Sequence, residues 1–305
     1  MISPLGHMTN LERQETVVFY PTYGVLSPAG DAWRIPVLGS VYESGNVGLT
    51  KRLMLRLLQR VMKADKLELQ SPIFQERIRG FIAASEGGKH VSVRVGQQIH
   101  ALQKKTSRLG YFSGTLQLSL DEAQELSRDG EIANDWLQFR LVSPHDEHQQ
   151  LIGQAQLLSP TGVSIISDID DTIKHTEVTS RESLLRNTFL REFLPIGGMP
   201  ELYRDWAARG AAFHYVSSSP WQLYQPLSQL CTLFGFPAGT FHLRSFRLRD
   251  HMLRRLFLVR RPVKGFTIKT LVETFPQRTF FLVGDSGERD PEIYGAIARH
   301  FPQQV

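Results

Sequence analysis

The amino-acid sequence predicts an α/β protein in which a smaller, mainly antiparallel β domain precedes a parallel sheet with helices on both faces. From about residue 15 to 160, short apolar runs alternate with polar residues and are separated by turn residues. After the turn-rich join at 157–164, strand-like runs alternate with helical ones, as they do in βαβ units. The predicted domains are therefore 1–160 and 161–305.

The first domain contains six candidate strands, and their alternation predicts antiparallel pairing in a sandwich-like arrangement. These strands are 16–20, 34–42, 90–95, 110–120, 135–143 and 151–159. One segment, 49–70, interrupts them with Leu53, Leu57 and Val61 at helical spacing and basic residues around these positions. Such a helix can lie on a membrane, but the favoured interpretation is a helix packed on its own domain with a solvated outer face.

Composition narrows the class of protein. Hydrophobic residues make up 41% and charged residues 21% of the 305 residues, which is typical of a globular chain. The single cysteine, Cys231, excludes an internal disulfide and a multi-cysteine zinc site, so cytoplasmic localisation is expected. The net charge of +5 favours anionic partners such as phosphate esters, acidic lipid surfaces or nucleic acid.

The second domain contains three candidate strands that all end in polar residues. The strands are 163–167, 211–217 and 279–284, and the helical runs are 199–210, 220–235 and 265–275. Ligands of open parallel sheets bind at the carboxyl ends of strands. We therefore expect the functional site where these three strands end.

Carboxylates follow two of these strands. Asp168 and Asp170, two residues apart, are predicted to face one pocket while Asp171 points elsewhere. Asp285 follows Gly284, and Asp290 comes five residues later. A set of oxygen ligands without nearby His or Cys favours a hard cation, so the sequence predicts Mg²⁺ held by Asp168, Asp170, Asp285 and Asp290. Asp290 has a second interpretation as the N-cap of a helix that begins at Pro291.

The middle strand and the following helix supply groups that fit a phosphate. Ser217 is placed to hold a phosphoryl oxygen, whereas Ser219 is interpreted as a helix N-cap before Pro220. Lys264 lies within about 30° of the centre of the apolar stripe of the last predicted helix, and Lys269 lies about 110° away. Lys264 is therefore the expected phosphate ligand, and Lys269 a solvated flank.

These pieces together resemble the four motifs of the haloacid dehalogenase superfamily of phosphotransferases. The stretches "ISDIDDTIKHTEV", "YVSSSPWQLY" and "LVGDSGERDPEIY" further resemble the actin-patch-protein type phosphatidate phosphatases, which are related in chemistry to the lipins. The resemblance covers about residues 160–300 and implies a Rossmannoid haloacid-dehalogenase-like fold. The N-terminal segment resembles the β domain of bacterial members more loosely.

The resemblance implies a role for each motif residue. Asp168 would attack phosphorus and form an aspartyl-phosphate, and Asp170 would protonate the leaving alkoxide and then activate water. Mg²⁺ would be held by Asp168, the backbone carbonyl of Asp170 and Asp285. The phosphate oxygens would be stabilised by Ser217 and Lys264, and Thr172 would brace the loop. The implied activity is hydrolysis of phosphatidic acid to diacylglycerol and phosphate.

Other functions stay open at this point. One is a phosphatase for a soluble phosphomonoester, and another is a membrane- or partner-binding protein with residual catalysis. The short segment between the first loop and the second strand, 173–212, predicts an open site without a large helical cap. The insert 244–265 has eight Arg or Lys against one Asp, which suits either a solvated face or peripheral contact with an acidic membrane. Nucleic acid is not expected as a partner.

Overall fold

The computed structural model describes residues 9–43, 49–143, 145, 151–245, 263–287 and 289–305. They form two compact units. The N-terminal unit comprises residues up to 45 together with 83–160, and the C-terminal unit comprises 46–82 together with 161–305. The chain therefore enters the C-terminal unit twice.

The N-terminal unit is built on a mixed ten-stranded sheet. Its strands are β1 Glu15–Tyr20, β2 Thr22–Leu26, β3 Ala32–Glu43, β4 Ala84–Ser85, β5 Ser92–Val95, β6 Gln98–Ala101, β7 Tyr111–Ser119, β8 Ile132–Ala133, β9 Trp136–Leu141 and β10 Ile152–Leu158. The pairs are antiparallel apart from β10 with β2. Every predicted strand is present, and the sequence analysis missed β2, β6 and the two-residue strands β4 and β8.

The strands of this unit differ from the predicted sandwich in being joined into one sheet. The cause is β3, which pairs with β7 along one edge and with β1 and β2 along the other. One face of β3 carries Ile35, Val37 and Val41, all buried in the core of the unit. A long strand with partners on both edges joins the strands on either side of it into one hydrogen-bonded sheet.

The C-terminal unit contains a four-stranded sheet, with all pairs parallel as predicted. Its strands are β11 Thr161–Ser167, β12 Ala212–Pro220, β13 Thr240–Arg244 and β14 Gln277–Val283, in the order β13-β12-β11-β14. Helices lie between these strands in the chain, which gives the alternation expected of an α/β unit. The sequence analysis missed β13, a strand of only five residues.

The helices of the described residues are numbered in chain order. They are α1 Leu49–Met62, α2 Lys66–Gln70, α3 Pro72–Ile82, α4 Leu120–Arg128, α5 Arg181–Phe189, α6 Met199–Ala208, α7 Tyr224–Phe234, α8 Val263–Thr274 and α9 Asp290–His300, and a short 3₁₀-helix spans Trp221–Leu223. The predicted helical segment 49–70 is divided into α1 and α2. The division lies where Lys63 has a positive φ and Asp65 starts α2 with a capping box.

Helices α1 to α3 belong to the C-terminal unit, whereas the sequence analysis placed the helical segment in the first domain. The difference has a physical cause. Met54, Leu58 and Met62 of α1 are buried in the same apolar cluster as Phe189 and Tyr203. Burial of this apolar face against a core formed more than a hundred residues later in the chain cannot be inferred from helical periodicity.

Candidate active site

The carboxyl ends of β11 and β14 meet at one edge of the parallel sheet. The backbone N–H of Asp168 donates to the carbonyl oxygen of Val283 at 2.8 Å, which fixes the end of one strand against the end of the other. Asp168 is 1% exposed. The predicted acidic residues from the two strand ends are therefore brought to one place.

Asp168, Asp285 and Asp290 form an acidic group in which one carboxylate oxygen from each lies within 4.8 Å of the others. Three of their oxygens, Asp168 Oδ2, Asp285 Oδ1 and Asp290 Oδ2, are buried and have no hydrogen-bond partner among the described residues. A buried, unpartnered carboxylate oxygen is costly unless a cation compensates it. The donor set consists of hard oxygens and fits Mg²⁺.

The side chain of Asp170 is not a member of this acidic group. The metal ligand predicted from Asp170 is its backbone carbonyl, and the positions of the carboxylates do not test that prediction. The carboxylates of Asp168 and Asp170 thus have different neighbours, although both residues belong to the same loop.

Asp290 is the first residue of α9 and not its N-cap, which is Arg289. The N-cap interpretation was therefore wrong. The physical reason is that the Asp290 carboxylate accepts a hydrogen bond from the Lys264 ammonium group and so turns into the site. Gly284 leaves room for it, since a Cβ at this position would lie 2.2 Å from Asp290 Oδ2.

Lys264, at the start of α8, is the cation of this group. Its Nζ lies 2.8 Å from Asp168 Oδ1 and also pairs with Asp290. Burial raises the pKa of Asp168 well above its ordinary value, against the opposing effect of Lys264. Burial alone would lower the pKa of Lys264, but Asp168 and Asp290 outweigh it and the pKa is raised. Lys269 lies at the surface, 3.6 Å from Glu273.

Asp170 is held by four side-chain donors. Its Oδ1 lies 3.0 Å from Lys174 Nζ and accepts a hydrogen bond from Thr176 Oγ1 at 2.8 Å. Its Oδ2 accepts from Ser217 Oγ and Ser219 Oγ, each at 2.9 Å. Burial alone would raise the pKa of Asp170, but Lys174 and these donors outweigh burial and lower it to about 2.

Ser219 is a further correction, because it does not cap a helix. Strand β12 continues through Pro220, and Pro220 precedes the 3₁₀-helix as its N-cap. The Ser219 hydroxyl is therefore free of a capping role and donates to Asp170. Ser217 is buried in the same strand, and its Oγ also accepts from the backbone N–H of Ser219 at 2.9 Å.

Asp171 and Thr172 lie in the turn that follows Asp170. Asp171 has φ +56°, and its carboxylate accepts hydrogen bonds from the backbone N–H groups of Thr176, Glu177 and Val178. It thus shapes the loop and points away from the acidic group. Thr172 is buried, its N–H donates to the carbonyl of Ile169, and its Oγ1 has no partner among the described residues.

The sequence analysis did not identify Lys174, Thr176 or Ser219 as site residues. The available signal was a lysine four residues after Asp170 in a loop between a buried strand and a helix. Only the turn made by Asp171 brings Lys174 and Thr176 back onto Asp170.

The basic insert predicted at 244–265 falls mainly outside the described residues, since 246–262 are not described. Its interpretation as a membrane contact or a solvated face is unchanged. None of the helices that the structure describes is long and apolar enough to cross a bilayer.

Comparison with known proteins shows what the part of the chain that contains this site resembles. The family model described as "Phosphatidate phosphatase APP1, catalytic domain" matches residues 163–305. The chain is similar to phosphatidate phosphatase APP1 of Saccharomyces cerevisiae, with 36% identity over 177 residues, which cover 55% of this chain and 30% of the relative. It is also similar to an uncharacterized protein of Schizosaccharomyces pombe, with 32% identity over 158 residues, covering 50% of this chain and 26% of the relative.

The chain thus spans less than a third of the length of these two yeast relatives. The family match includes every predicted site residue, from Asp168 to Asp290. Residues 163–305 of this chain accordingly match the phosphatidate phosphatase APP1 catalytic-domain family.

Proposed function

We propose that the chain is a Mg²⁺-dependent phosphatidate phosphatase of the haloacid dehalogenase type, which hydrolyses phosphatidic acid to diacylglycerol and phosphate. The observation that carries the proposal is the buried Asp168 carboxylate. One of its oxygens pairs with Lys264, and the other, beside Asp285 and Asp290, has no partner among the residues that the structure describes. A nucleophilic carboxylate needs an oxygen that is not engaged in a hydrogen bond, together with positive charge nearby.

Asp168, Asp285, Asp290 and the carbonyl of Asp170 would hold the metal. Bound there, Mg²⁺ would neutralise part of the charge of the phosphate and so reduce its repulsion of an anionic nucleophile. The three unpartnered carboxylate oxygens fit this role, because the metal ion would give each of them a partner that the described residues do not supply.

The residues of the chain carry the reaction steps. A carboxylate oxygen of Asp168 attacks phosphorus, so that a new O–P bond forms while the bond from phosphorus to the lipid alkoxide breaks. Asp170 gives the alkoxide a proton. It then takes a proton from a water molecule, whose attack on phosphorus frees Asp168 and releases phosphate. Lys264 and Ser217 would stabilise charge on the phosphate oxygens.

Asp170 must be protonated for the first step, although its donors lower its pKa to about 2. A dianionic phosphate bound beside the carboxylate would raise this pKa, because a like charge disfavours ionisation. In the chain alone Asp170 is ionised, which is the form that the second role, accepting a proton from water, requires.

Peripheral contact with an acidic membrane is part of the proposal, and α1 supports it. Leu53 and Leu57 are 64% and 38% exposed, on the side of α1 that does not face the core. Counting 100° per residue, they lie about 40° apart, and Arg60 lies about 20° from Leu53. Arg52, Arg56 and Arg60 are exposed and form no ion pair with any described residue. Leucines between arginines suit the interface of an acidic bilayer.

The test is phosphate release from phosphatidic acid in mixed micelles, with Mg²⁺ and with EDTA. We expect EDTA to abolish turnover. The variant Asp168→Asn should lose at least about 10³-fold in kcat, because it lacks the nucleophile. The matched control is Asp205→Asn, which changes an exposed aspartate of α6 that pairs with Arg209 and should leave kcat unchanged.

Soluble phosphomonoesters form a second arm of the assay. Turnover of small esters with none of phosphatidic acid would replace the lipid assignment by a soluble-substrate phosphatase. Full turnover by Asp168→Asn would refute the role of Asp168 as the nucleophile. Binding to acidic vesicles without turnover of any ester would favour a binding protein.

A further inference from the structure

Lys174 is a fully buried lysine whose role the proposed mechanism does not include. It is 2% exposed, and its Nζ lies 3.0 Å from Asp170 Oδ1 and 2.5 Å from Thr176 Oγ1. Thr176 Oγ1 in turn donates to the same Asp170 oxygen at 2.8 Å. The three side chains form a closed triangle that fixes Oδ1.

The other oxygen of Asp170 has a different environment. Its partners are two neutral hydroxyls, those of Ser217 and Ser219. Hydroxyl groups rotate readily and can donate to other acceptors, whereas the buried ammonium group of Lys174 is confined to its carboxylate. Oδ2 is therefore the oxygen able to exchange a proton with substrate or water, and Oδ1 is the anchored one.

Lys174 is itself held by an aromatic ring. Its Nζ lies 4.6 Å from the centroid of Phe193, and the guanidinium carbon of Arg77 lies 3.6 Å from the centroid of the same ring. Arg77 comes from α3 and donates to the carbonyl oxygens of Thr188 and Arg191 at 2.8 and 2.5 Å. The support for Asp170 thus reaches a helix outside the residues that match the catalytic family.

The two buried lysines divide the carboxylates of the site between them. Lys264 pairs with Asp168 and Asp290, and Lys174 pairs with Asp170. A buried lysine strongly destabilises the folded state unless it is paired and hydrogen-bonded. Each of these two lysines therefore depends on its carboxylate partners.

We propose that Lys174 is a positioning residue that acts through Asp170, anchoring Oδ1 so that Oδ2 faces the substrate. This inference rests on the proposed function for its catalytic consequence. Its structural part, the coupling of Lys174 to Asp170, stands independently of which ester is hydrolysed.

The kinetic test compares Lys174→Met, which removes the charge at similar length, with Lys174→Arg, which keeps it. We expect Lys174→Met to lower kcat about 10- to 100-fold, a part of what an acid–base group contributes, with KM changed less than about threefold. Lys174→Arg should recover part of the loss. The control Lys269→Met, at the exposed lysine paired with Glu273, should match the wild type. A wild-type kcat in folded Lys174→Met would overturn the proposal. A loss of kcat no larger than the fraction of the variant that is unfolded, measured by circular dichroism, would also overturn it.

The coupling is tested without catalysis by urea unfolding of Lys174→Met, Asp170→Asn and the double variant. If Lys174 acts through Asp170, the two losses in urea midpoint should not add, and the double variant should unfold no earlier than the worse single variant. Strictly additive losses would overturn the coupling. This measurement decides the inference even if the wild type hydrolyses no phosphomonoester, which would refute only the proposed function.

Discussion

Asp168 and Asp170 lie two residues apart, yet their electrostatic environments differ. Burial raises the pKa of Asp168 despite Lys264, whereas burial of Asp170 is outweighed by Lys174 and the hydroxyl donors. Among the described residues, one carboxylate oxygen of Asp168 has no hydrogen-bond partner, whereas both oxygens of Asp170 accept hydrogen bonds. Two carboxylates in unlike environments fit the unlike roles proposed for them, one as nucleophile and one in proton transfer.

A prediction at this scale concerns Gly284. Its replacement by alanine would place a Cβ 2.2 Å from Asp290 Oδ2 and 2.8 Å from the ring of Tyr294. Because Asp290 must then move, we expect kcat to fall by about 10- to 100-fold, the usual effect of small misplacements at a reacting centre. The measurement is phosphate release over a Mg²⁺ titration. The control is Gly197→Ala, since a Cβ there would meet no atom within 4 Å. Equal activity of the two variants would contradict the tight fit around Asp290.

At the scale of elements, the loop after β11 is shaped by hydrogen bonds to one side chain, and helix α1 has one buried and one exposed apolar pair. Asp171 organises the loop by accepting three backbone N–H groups, which turns Thr176 and Lys174 towards Asp170. Helix α1 buries Met54 and Leu58 in the core and leaves a second apolar pair exposed beside arginines. The buried pair is part of the apolar core, and the exposed pair is not.

The exposed pair carries a prediction about membranes. The double variant Leu53→Ser, Leu57→Ser should lower co-sedimentation with phosphatidylcholine–phosphatidylglycerol vesicles about tenfold, because two leucines no longer enter the interface. Phosphatidylglycerol supplies negative charge without being a phosphomonoester, so turnover does not affect the result. Leu233→Ser, at a leucine of α7 that is 77% exposed, is the control. If the double variant and the control bind equally well, α1 is not the contact.

At the scale of the whole molecule, chain segments far apart in sequence share one core. The family match begins at residue 163, but the compact unit that contains it also includes 46–82. The parallel sheet of this unit holds a buried polar network away from the acidic group. His214 Nδ1 lies 2.7 Å from Thr240 Oγ1, and its Nε2 lies 3.3 Å from Ser164 Oγ, to which Arg278 donates at 2.9 Å.

This network predicts a pH dependence of stability. Burial, with His242 and Arg278 nearby, holds the pKa of His214 well below its ordinary value, so the folded chain keeps it neutral where the unfolded chain protonates it. As pH falls below about 6.5, the unfolded state gains protons and stability falls, by up to about 1.4 kcal/mol per pH unit for one such group. Urea unfolding between pH 5 and 7.5 measures this slope.

The variant His214→Gln should reduce the slope, since glutamine does not titrate there. The exposed His300, changed to Gln in the same unit, should keep the slope of the wild type. An unchanged slope in His214→Gln would show that other groups cause the acid sensitivity.

Much of the site could be predicted because its chemistry is local in sequence. Strand ends, glycine turns and carboxylate spacing identify Asp168, Asp170 and Asp285 as neighbours at one sheet edge, and helical geometry selects Lys264 over Lys269 as the inward lysine. Two capping interpretations, for Ser219 and Asp290, failed for a common reason. A cap is inferred from a polar residue followed by a proline. In the folded chain, however, Ser219 donates to Asp170 and Asp290 accepts from Lys264, so tertiary partners determine where both side chains point.

By itself, the sequence determined the parallel α/β unit, the antiparallel character of most strands before it, and the residue types at the sheet edge, because periodicity and strand-end chemistry are properties of short segments. Tertiary structure alone decided that α1 to α3 join the C-terminal unit, and that Lys174, backed by Phe193 and Arg77, holds Asp170. Several of those contacts join segments more than a hundred residues apart, and no local pattern encodes which distant apolar face or charge a side chain will meet.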